Sequence, residues 1–325
     1  MRRLLFANLL VALGLSMVAA PPPTTNASTA FLLSESDSER LGQSLTVSAP
    51  VVGSTIYLPI VRRERDLIVG VMGIPDDQLG LAVAWGGNTI EYHKTLYGTE
   101  LQSHFDTIKG LGGRLILRAI GNFQNTDGTL NIAAVLAALD GTFAGTTVIG
   151  DPAFAGFYII DEVCHPTKWP NLTGAALVAL YQDVKAYDAR VPVMHNFDDM
   201  ACVETRLTET GNAPIADIAG VTITYANTNN DSNITGFMAD QAATAAAVKA
   251  TSPSLKLLPT VAIFDSNEQS LPSQTWVETV GLIVLAEPNY DGLMYYPWTT
   301  PYWANTSLED HSEYWDEIQR VFATD

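Results

Sequence analysis

The chain has 325 residues, of which 47% are hydrophobic and 16% are charged, and its 17 Lys and Arg against 35 Asp and Glu give a formal net charge of −18 at pH 7. This composition is typical of a globular protein with a large core and excludes an acidic disordered chain. Nucleic acids and anionic membranes repel a polyanion, so both are excluded as main partners, and we expect the charge to serve solubility.

The first twenty residues have the pattern of a secretory signal peptide. Arg2 and Arg3 precede an almost wholly apolar run over 4–20 that ends in two small residues. The run is shorter than the roughly 20 residues of a membrane-spanning helix. Pro21 is a poor position for the peptidase, so cleavage after Ala30 or an uncleaved anchor stays open. We expect a secreted or cell-surface protein with no membrane span after signal removal.

Residues 21–65 are rich in Pro, Ser and Thr and include one strand-like stretch, 54–61. We predict a tether or edge-strand segment here, leading into one domain at 66–325. The two cysteines, Cys164 and Cys202, predict a single disulfide in an oxidising compartment. Sequons that are candidate glycan sites occur at Asn26, Asn171, Asn230, Asn233 and Asn305.

From residue 66 onward, short apolar runs rich in Val, Ile and Tyr alternate with longer segments of helical pattern. The runs predict strands at 67–74, 89–93, 114–121, 156–162, 191–197, 219–226, 257–265 and 292–298. The helical patterns cover 76–84, 100–110, 132–140, 174–188, 199–207, 234–250, 273–285 and 311–322. The weakest of these patterns is 199–207.

Continuous apolar strands separated by helices predict a parallel sheet covered on both faces. Eight such units in about 260 residues match a (β/α)8 TIM barrel. A doubly wound open sheet is the alternative fold, but the first strand runs into Pro75-Asp76-Asp77, which caps a helix and does not cradle a phosphate. We therefore predict an α/β protein, a TIM barrel preceded by a signal peptide and an N-terminal tether.

The fourth predicted strand ends in two adjacent carboxylates, Asp161 and Glu162. Carboxylates are costly at the end of an apolar strand unless they are solvated, paired or used. Because side chains alternate along a strand, we expect the two to lie on different faces, with one at the barrel mouth, where TIM barrels carry their active sites. A Glu at the mouth suits a general acid. A helix-capping or ion-paired acidic pair is the structural alternative.

The run 156–162, followed by a helix and the turn with Arg190 and Pro192, resembles the glycoside-hydrolase-like barrels of clan A, although Val191 separates the two turn residues. The resemblance implies that Glu162 is the acid/base. It also implies a second carboxylate at the end of strand seven, for which Asp265 and Glu268 are the candidates. A turn capped by Asp265 stays the alternative there.

The same enzymes often place a Tyr at the end of strand six and a Trp at the end of strand eight, where this chain has Tyr225 and Trp298. Aromatic rings stack on sugars, and polar groups hydrogen-bond their hydroxyls. The predicted substrate-binding residues are Asp161, Tyr92, His93, His195, Asn196, Tyr225, Tyr296 and Trp298. No metal and no cofactor are predicted, since the first strand lacks a His-x-His pair and no phosphate loop, dinucleotide fingerprint or nucleophile elbow occurs.

The sequence therefore predicts a secreted glycoside-hydrolase-like protein that cleaves an extracellular oligo- or polysaccharide by carboxylate general acid/base chemistry. The alternative is a non-catalytic secreted barrel, serving as a glycan-binding, cell-surface or assembly-forming structural protein. The separation of the two carboxyl groups would decide the stereochemistry, with about 5 Å for retention and roughly 6.5 to 9.5 Å for inversion. The sugar, its linkage and the oligomeric state stay open.

Overall fold

The computed structural model describes residues 45–51, 54–58, 67–92, 96–265, 270–297 and 306–324. The predicted signal peptide and most of the predicted tether lie outside these ranges, and so do His93, Glu268 and Trp298. Within the tether, strands β1 (Leu45–Val51) and β2 (Ser54–Leu58) form an antiparallel pair.

Eight parallel strands of the described chain close into a barrel, in the order in which they follow one another in the sequence. They are β3 (Ile68–Met72), β4 (Thr89–Tyr92), β5 (Arg114–Arg118), β6 (Phe154–Ile160), β7 (Val193–Phe197), β8 (Ile218–Ile223), β9 (Lys256–Ala262) and β10 (Gly292–Tyr296). The barrel closes where β10 pairs with β3, with Met294 opposite Gly70.

A helix follows each barrel strand in the described chain. They are α1 (Leu79–Ala84), α2 (Gly98–Gly110), α3 (Ile132–Phe143), α4 (Gly174–Tyr187), α5 (Met200–Glu209), α6 (Ile234–Thr251), α7 (Gln274–Ala286) and α8 (Trp315–Phe322). Short 3-10 turns at 76–78 and 312–314 replace the first residues of the first and last predicted helices. The predicted TIM barrel is confirmed, including the weakest helix, which forms α5.

The apolar side chains divide into two cores because successive residues of a strand point to opposite faces. The inner core fills the barrel and takes side chains from every barrel strand except β4: Ile68, Met72, Ile116, Tyr158, Met194, Ile218, Leu258 and Met294. The outer core lies between the strands and the helices and is much larger. Strands buried on both faces read as continuous apolar runs, which is why the sequence reveals them.

Strand β6 carries one extra residue near its end. Tyr158 lies opposite Met194 of β7, but the next pair is Ile160 opposite His195, so β6 advances two residues where β7 advances one. This β-bulge reverses the alternation of the strand. Ile160 therefore joins the outer core, and Asp161 returns to the inside of the barrel next to Tyr158.

A lysine and an aspartate fasten the start of β7 at the amino end of the barrel. Lys185 of α4 donates from Nζ to the carbonyl of Val191 (2.7 Å) and pairs with Asp217 Oδ2 (2.7 Å). The same oxygen of Asp217 accepts the backbone N–H of Val193 (2.7 Å). Two neighbouring strand starts and the preceding helix are thus joined through one carboxylate.

The start of β9 repeats this arrangement. Lys249 of α6 donates to the carbonyl of Leu255 (2.7 Å) and pairs with Asp291 Oδ2 (2.6 Å), which accepts the N–H of Leu257 (2.8 Å). In both cases the carbonyl lies six residues, and the amide eight residues, after the lysine. The two copies are an internal repeat of structure within the barrel.

The predicted disulfide is present between Cys164, in the loop after β6, and Cys202 of α5, 38 residues apart in sequence. Among the described residues, one cluster of three potential metal ligands occurs, and it consists of Cys164, Cys202 and Asp198. Its two sulfurs are bonded to each other in the disulfide. In the described part of the chain, no helix combines the length and the apolar character needed to cross a bilayer.

We predict that Asp217→Asn and Asp291→Asn destabilise the fold by similar amounts. Each change removes a charged acceptor from a lysine and a backbone amide, which costs about 2 kcal/mol. Urea unfolding of both variants measures the loss in the free energy of unfolding. Glu204→Gln is the control, because Glu204 is exposed on α5, and we expect a change within about 0.5 kcal/mol. A much smaller cost at either aspartate would contradict the repeat.

We also predict that His195 makes the fold sensitive to acid. Burial lowers the pKa of His195 from 6.5 to about 4, so the unfolded chain takes up a proton first as the pH falls. The histidine therefore removes about 2 kcal/mol of stability between pH 7 and pH 5. The loss of unfolding free energy between these pH values should be smaller by that amount in His195→Leu than in the parent. Equal losses would show that His195 titrates normally.

Candidate functional site

Polar side chains line the inside of the barrel at the carboxyl ends of its strands. Arg118, Asn196 and Tyr296 each follow an inner-core residue by two positions, so they continue the inward-facing rows of β5, β7 and β10. Glu91 of β4 is fully buried and lies opposite Met72 of β3 and Ile116 of β5, which also face inward. We call this end of the barrel the mouth.

The carboxylate of Asp161 is the centre of the mouth. Its Oδ1 accepts from the hydroxyl of Tyr158 (2.5 Å) and from Asn196 Nδ2 (3.4 Å). Its Oδ2 accepts from Arg118 Nη2 (3.0 Å) and lies 3.7 Å from Lys168 Nζ. A carboxylate offers about four acceptor positions. Three hydrogen bonds and a nearby ammonium group therefore surround Asp161, which leaves it little capacity to act on a substrate.

These contacts fix the charge states of the group. Burial alone would raise the pKa of Asp161, but Arg118, Tyr158, Lys168 and Asn196 together hold it below its ordinary value. Burial would lower the pKa of Arg118, but the surrounding acidic and phenolic groups raise it. Burial and the Asp161 charge raise the pKa of Tyr158. Asp161 is thus an ionised acceptor, Arg118 a cation and Tyr158 a neutral donor.

Glu162 lies at the rim of the mouth. Its backbone is left-handed, with φ of 51°, because the chain turns away after β6 ends at Ile160. Its Oε2 lies 2.5 Å from Lys168 Nζ, and 34% of its side chain is exposed. Lys168 thus contacts both Asp161 and Glu162. The sequence predicts the two carboxylates on different faces; Asp161 lies inside the mouth, and Glu162 lies at its rim, outside the regular strand.

Lys168 is held as a cation by this arrangement. Burial would lower the pKa of Lys168, but its bond to Glu162 and the charges of Asp161 and Glu162 raise it. Its side chain stays 48% exposed. An ammonium group therefore stands at the rim of the mouth with one side open to solvent.

The loop that carries Glu162 and Lys168 is fastened on both sides. Trp169 Nε1 donates to the carbonyl of Asp161 (2.9 Å), which closes the loop on itself. Gln124, in the loop after β5, donates to the carbonyl of Lys168 (2.6 Å). On the other side, the disulfide of Cys164 joins the loop to α5. The positions of Glu162 and Lys168 are thus set by the neighbouring loops.

The structure brings some of the sequence-predicted binding residues to the mouth. Asn196 bonds to Asp161 and also donates to Thr222 Oγ1 (2.9 Å). Tyr296 is half-buried, and burial together with the charge of Asp161 raises its pKa, so its phenol is neutral. His93 and Trp298 lie outside the described residues.

Other predicted binding residues face the helices. Tyr92 directly follows the inward-facing residue of β4, and its ring packs 5.2 Å from His104 of α2. His195 is fully buried between inward-facing neighbours on β7 and therefore points outward. Tyr225 packs 5.4 Å from Trp276 of α7 and donates to Asp231 (3.0 Å). The structure does not bring these three side chains into the mouth.

The sequence predicts the second carboxylate at the end of β9. The inward-facing positions there hold Thr260 and Ala262, two and four residues after Leu258 of the inner core. Asp265 follows the strand, is half-buried, and forms a backbone bridge with Thr306, with N and O 3.4 Å apart. Glu268 lies outside the described residues.

Sequence reasoning missed Glu91, Arg118, Tyr158 and Lys168. The sequence pattern could have identified the first three, since each shares an inward-facing row with apolar residues of its own or the paired strand. No sequence pattern identifies Lys168, because it lies in an irregular loop whose path depends on the bulge and the disulfide.

No protein-family model and no curated protein matches the sequence. Solved structures do match. An endo-β-1,4-mannanase from Thermotoga petrophila has a TM-score of 0.57 at 10% identity, over 80% of this chain and 77% of that one. A glucosidase from Croceicoccus marinus has 0.57 at 11%, over 80% and 67%. A β-D-glucuronidase from Dictyoglomus thermophilum has 0.54 at 8%, over 87% and 54%.

All three neighbours are glycoside hydrolases, and the chain spans about half the length of the glucuronidase. At these identities the similarity establishes the barrel fold that the chain shares with them. A shared fold does not fix activity, which depends on the residues of the site.

Proposed function

We propose that the protein is a glycoside hydrolase whose reaction takes place at the mouth. The observation that carries the proposal is Glu162, a partly exposed carboxyl group at the rim, directly after the fourth barrel strand and beside a rigid polar cluster. The neutral donors Asn196 and Tyr296 in the same mouth suit the hydroxyls of a sugar. The structural neighbours support the proposal at the level of the fold.

In the proposed reaction Glu162 gives its proton to the glycosidic oxygen while the bond from that oxygen to the anomeric carbon breaks. Asp265 or Glu268 supplies the second carboxylate, which attacks the anomeric carbon or takes a proton from the attacking water. Asp161, predicted from the sequence as a binding residue, acts instead by holding Arg118, Tyr158 and Lys168 in place. We also propose His93 and Trp298 as sugar-binding residues.

We propose further that the protein acts outside the cytoplasm on an extracellular oligo- or polysaccharide. The disulfide supports this, since such bonds persist in oxidising compartments. In this proposal residues 1–20 direct export, residues 21–65 form a tether, and residues 66–325 form the catalytic domain. Mass spectrometry of the protein recovered from a culture medium tests it, because the N-terminal peptide reports cleavage and the Asn peptides report glycans.

A second candidate function is glycan binding without cleavage. Two observations favour it: Lys168 lies 2.5 Å from the carboxylate of Glu162, and Thr260 and Ala262 take the inward positions at the end of β9. Lys168 thus occupies an oxygen of the group that would have to donate a proton to the glycosidic oxygen. Under this candidate the mouth selects a sugar and releases it unchanged.

We predict that Glu162→Gln lowers kcat by at least about 10²-fold, because the amide keeps the shape of the side chain but cannot donate an acidic proton. The substrates are neutral β-linked polysaccharides and a glucuronide, with released reducing ends as the readout. Glu204→Gln is the matched control, since it makes the same chemical change on the exposed face of α5.

Full activity in folded Glu162→Gln would overturn the proposed acid. If the parent binds an oligosaccharide in calorimetry but releases no reducing ends from any of these polymers, the second candidate holds. If it neither binds nor cleaves a glycan, both candidates fail.

A further inference from the structure

The ammonium of Lys168 bridges the two carboxylates at the rim. It lies 2.5 Å from Glu162 Oε2 and 3.7 Å from Asp161 Oδ2, and 48% of its side chain is exposed. An ammonium group has three N–H donors, and two carboxylates use at most two of them in this geometry. At least one donor is therefore available to a molecule that enters the mouth.

The two partners of Lys168 are held with different strength. Asp161 is fixed by Tyr158, Asn196 and Arg118, whereas Glu162 has Lys168 as its ion-pair partner among the described side chains. When a ligand enters, Asp161 can keep its place beside Lys168 while Glu162 moves. The pair is thus built so that one partner stays and the other can be exchanged.

We propose that Lys168 contacts the substrate and exchanges Glu162 for a sugar hydroxyl beside the scissile bond. In the empty site the ammonium of Lys168 contacts Glu162. When a sugar binds, its hydroxyl oxygen accepts a hydrogen bond from Lys168, and the side chain of Glu162 is released from the lysine toward the glycosidic oxygen. The inference rests on the proposed function and adds to it a residue that couples sugar binding to the position of the acid.

The charges of the mouth indicate the class of ligand. The carboxyl groups of Asp161 and Glu162 lie beside Lys168, and the whole chain carries −18. A carboxylate or sulfate on the ligand would meet this negative charge, whereas a neutral hydroxyl would not. We therefore expect a neutral sugar, and not a uronic acid or a sulfated one, at Lys168.

Other polar groups surround the ion pair of Lys168 and Glu162. Arg118 from β5 and Tyr296 from β10 act through their charge or their phenol, and His165 lies in the same loop, where its Nδ1 accepts the N–H of Lys168 (3.2 Å). None of them replaces Lys168 at the carboxylate of Glu162 in the described chain. A substitution of Lys168 should therefore directly change the contacts of Glu162.

The test compares Lys168→Met and Lys168→Arg in the full chain. We expect Met to raise KM for a neutral oligosaccharide about tenfold, because a charged hydrogen bond to the sugar is lost. Arg restores KM toward the parent value. Lys168→Gln replaces the Met variant if the latter is unstable.

The outcomes separate this inference from the proposed function. If Glu162→Gln is inactive but Lys168→Met keeps the parent KM, only the role of Lys168 is overturned, and a fall in Tm alone counts as the same result. If the parent cleaves no glycan, the proposed function fails, and calorimetry with the neutral oligosaccharide decides the contact: unchanged affinity in Lys168→Met, or absence of binding by the parent, overturns it. Tighter binding of a uronic-acid oligosaccharide would overturn the ligand class.

Discussion

The carboxylate of Asp161 is the constraint on which the rest of the mouth depends. Arg118 is a charged side chain inside the barrel, 28% exposed, and Asp161 Oδ2 accepts from its guanidinium at 3.0 Å. Tyr158 and Asn196 direct their donors at the same group, and Lys168 is held at the rim by it. Loss of this one carboxylate would remove the acceptor that these side chains share.

The position of Asp161 follows from one extra residue in β6. Without the bulge, the strict alternation of the strand would turn Glu162 inward together with Tyr158, and Asp161 would face the helices. With it, the inner place is taken by a carboxylate that is fully engaged in hydrogen bonds. The carboxylate that is free to react stays at the rim, where a lysine can reach it. Structural and reactive carboxylates are thus separated by the register of two strands.

The strands, helices and disulfide could be predicted from the sequence, but the bulge in β6 could not. All eight barrel strands and the helices after them could be derived, since buried parallel strands are apolar throughout and helices begin at capping residues such as Asp199 and Ser273. The disulfide followed from composition. The bulge could not be derived, because register belongs to a pair of strands and leaves no mark in either one. Tyr92 and His195 were expected at the mouth because both lie near strand ends, but the alternation of their own strands turns them against the helices.

The ion pair of Glu162 with Lys168 separates the two candidate functions. If Glu162 stays on the lysine, its carboxyl group is held away from the glycosidic oxygen and the barrel only binds its sugar. If a hydroxyl of the sugar replaces Glu162 on the lysine, the new bond offsets the loss of the ion pair and Glu162 can reach the glycosidic oxygen. Binding energy from a hydroxyl that does not itself react then appears in kcat, which is how enzymes turn recognition into rate. A sugar that lacks this hydroxyl would bind in the mouth without releasing Glu162, so one contact would set both specificity and turnover.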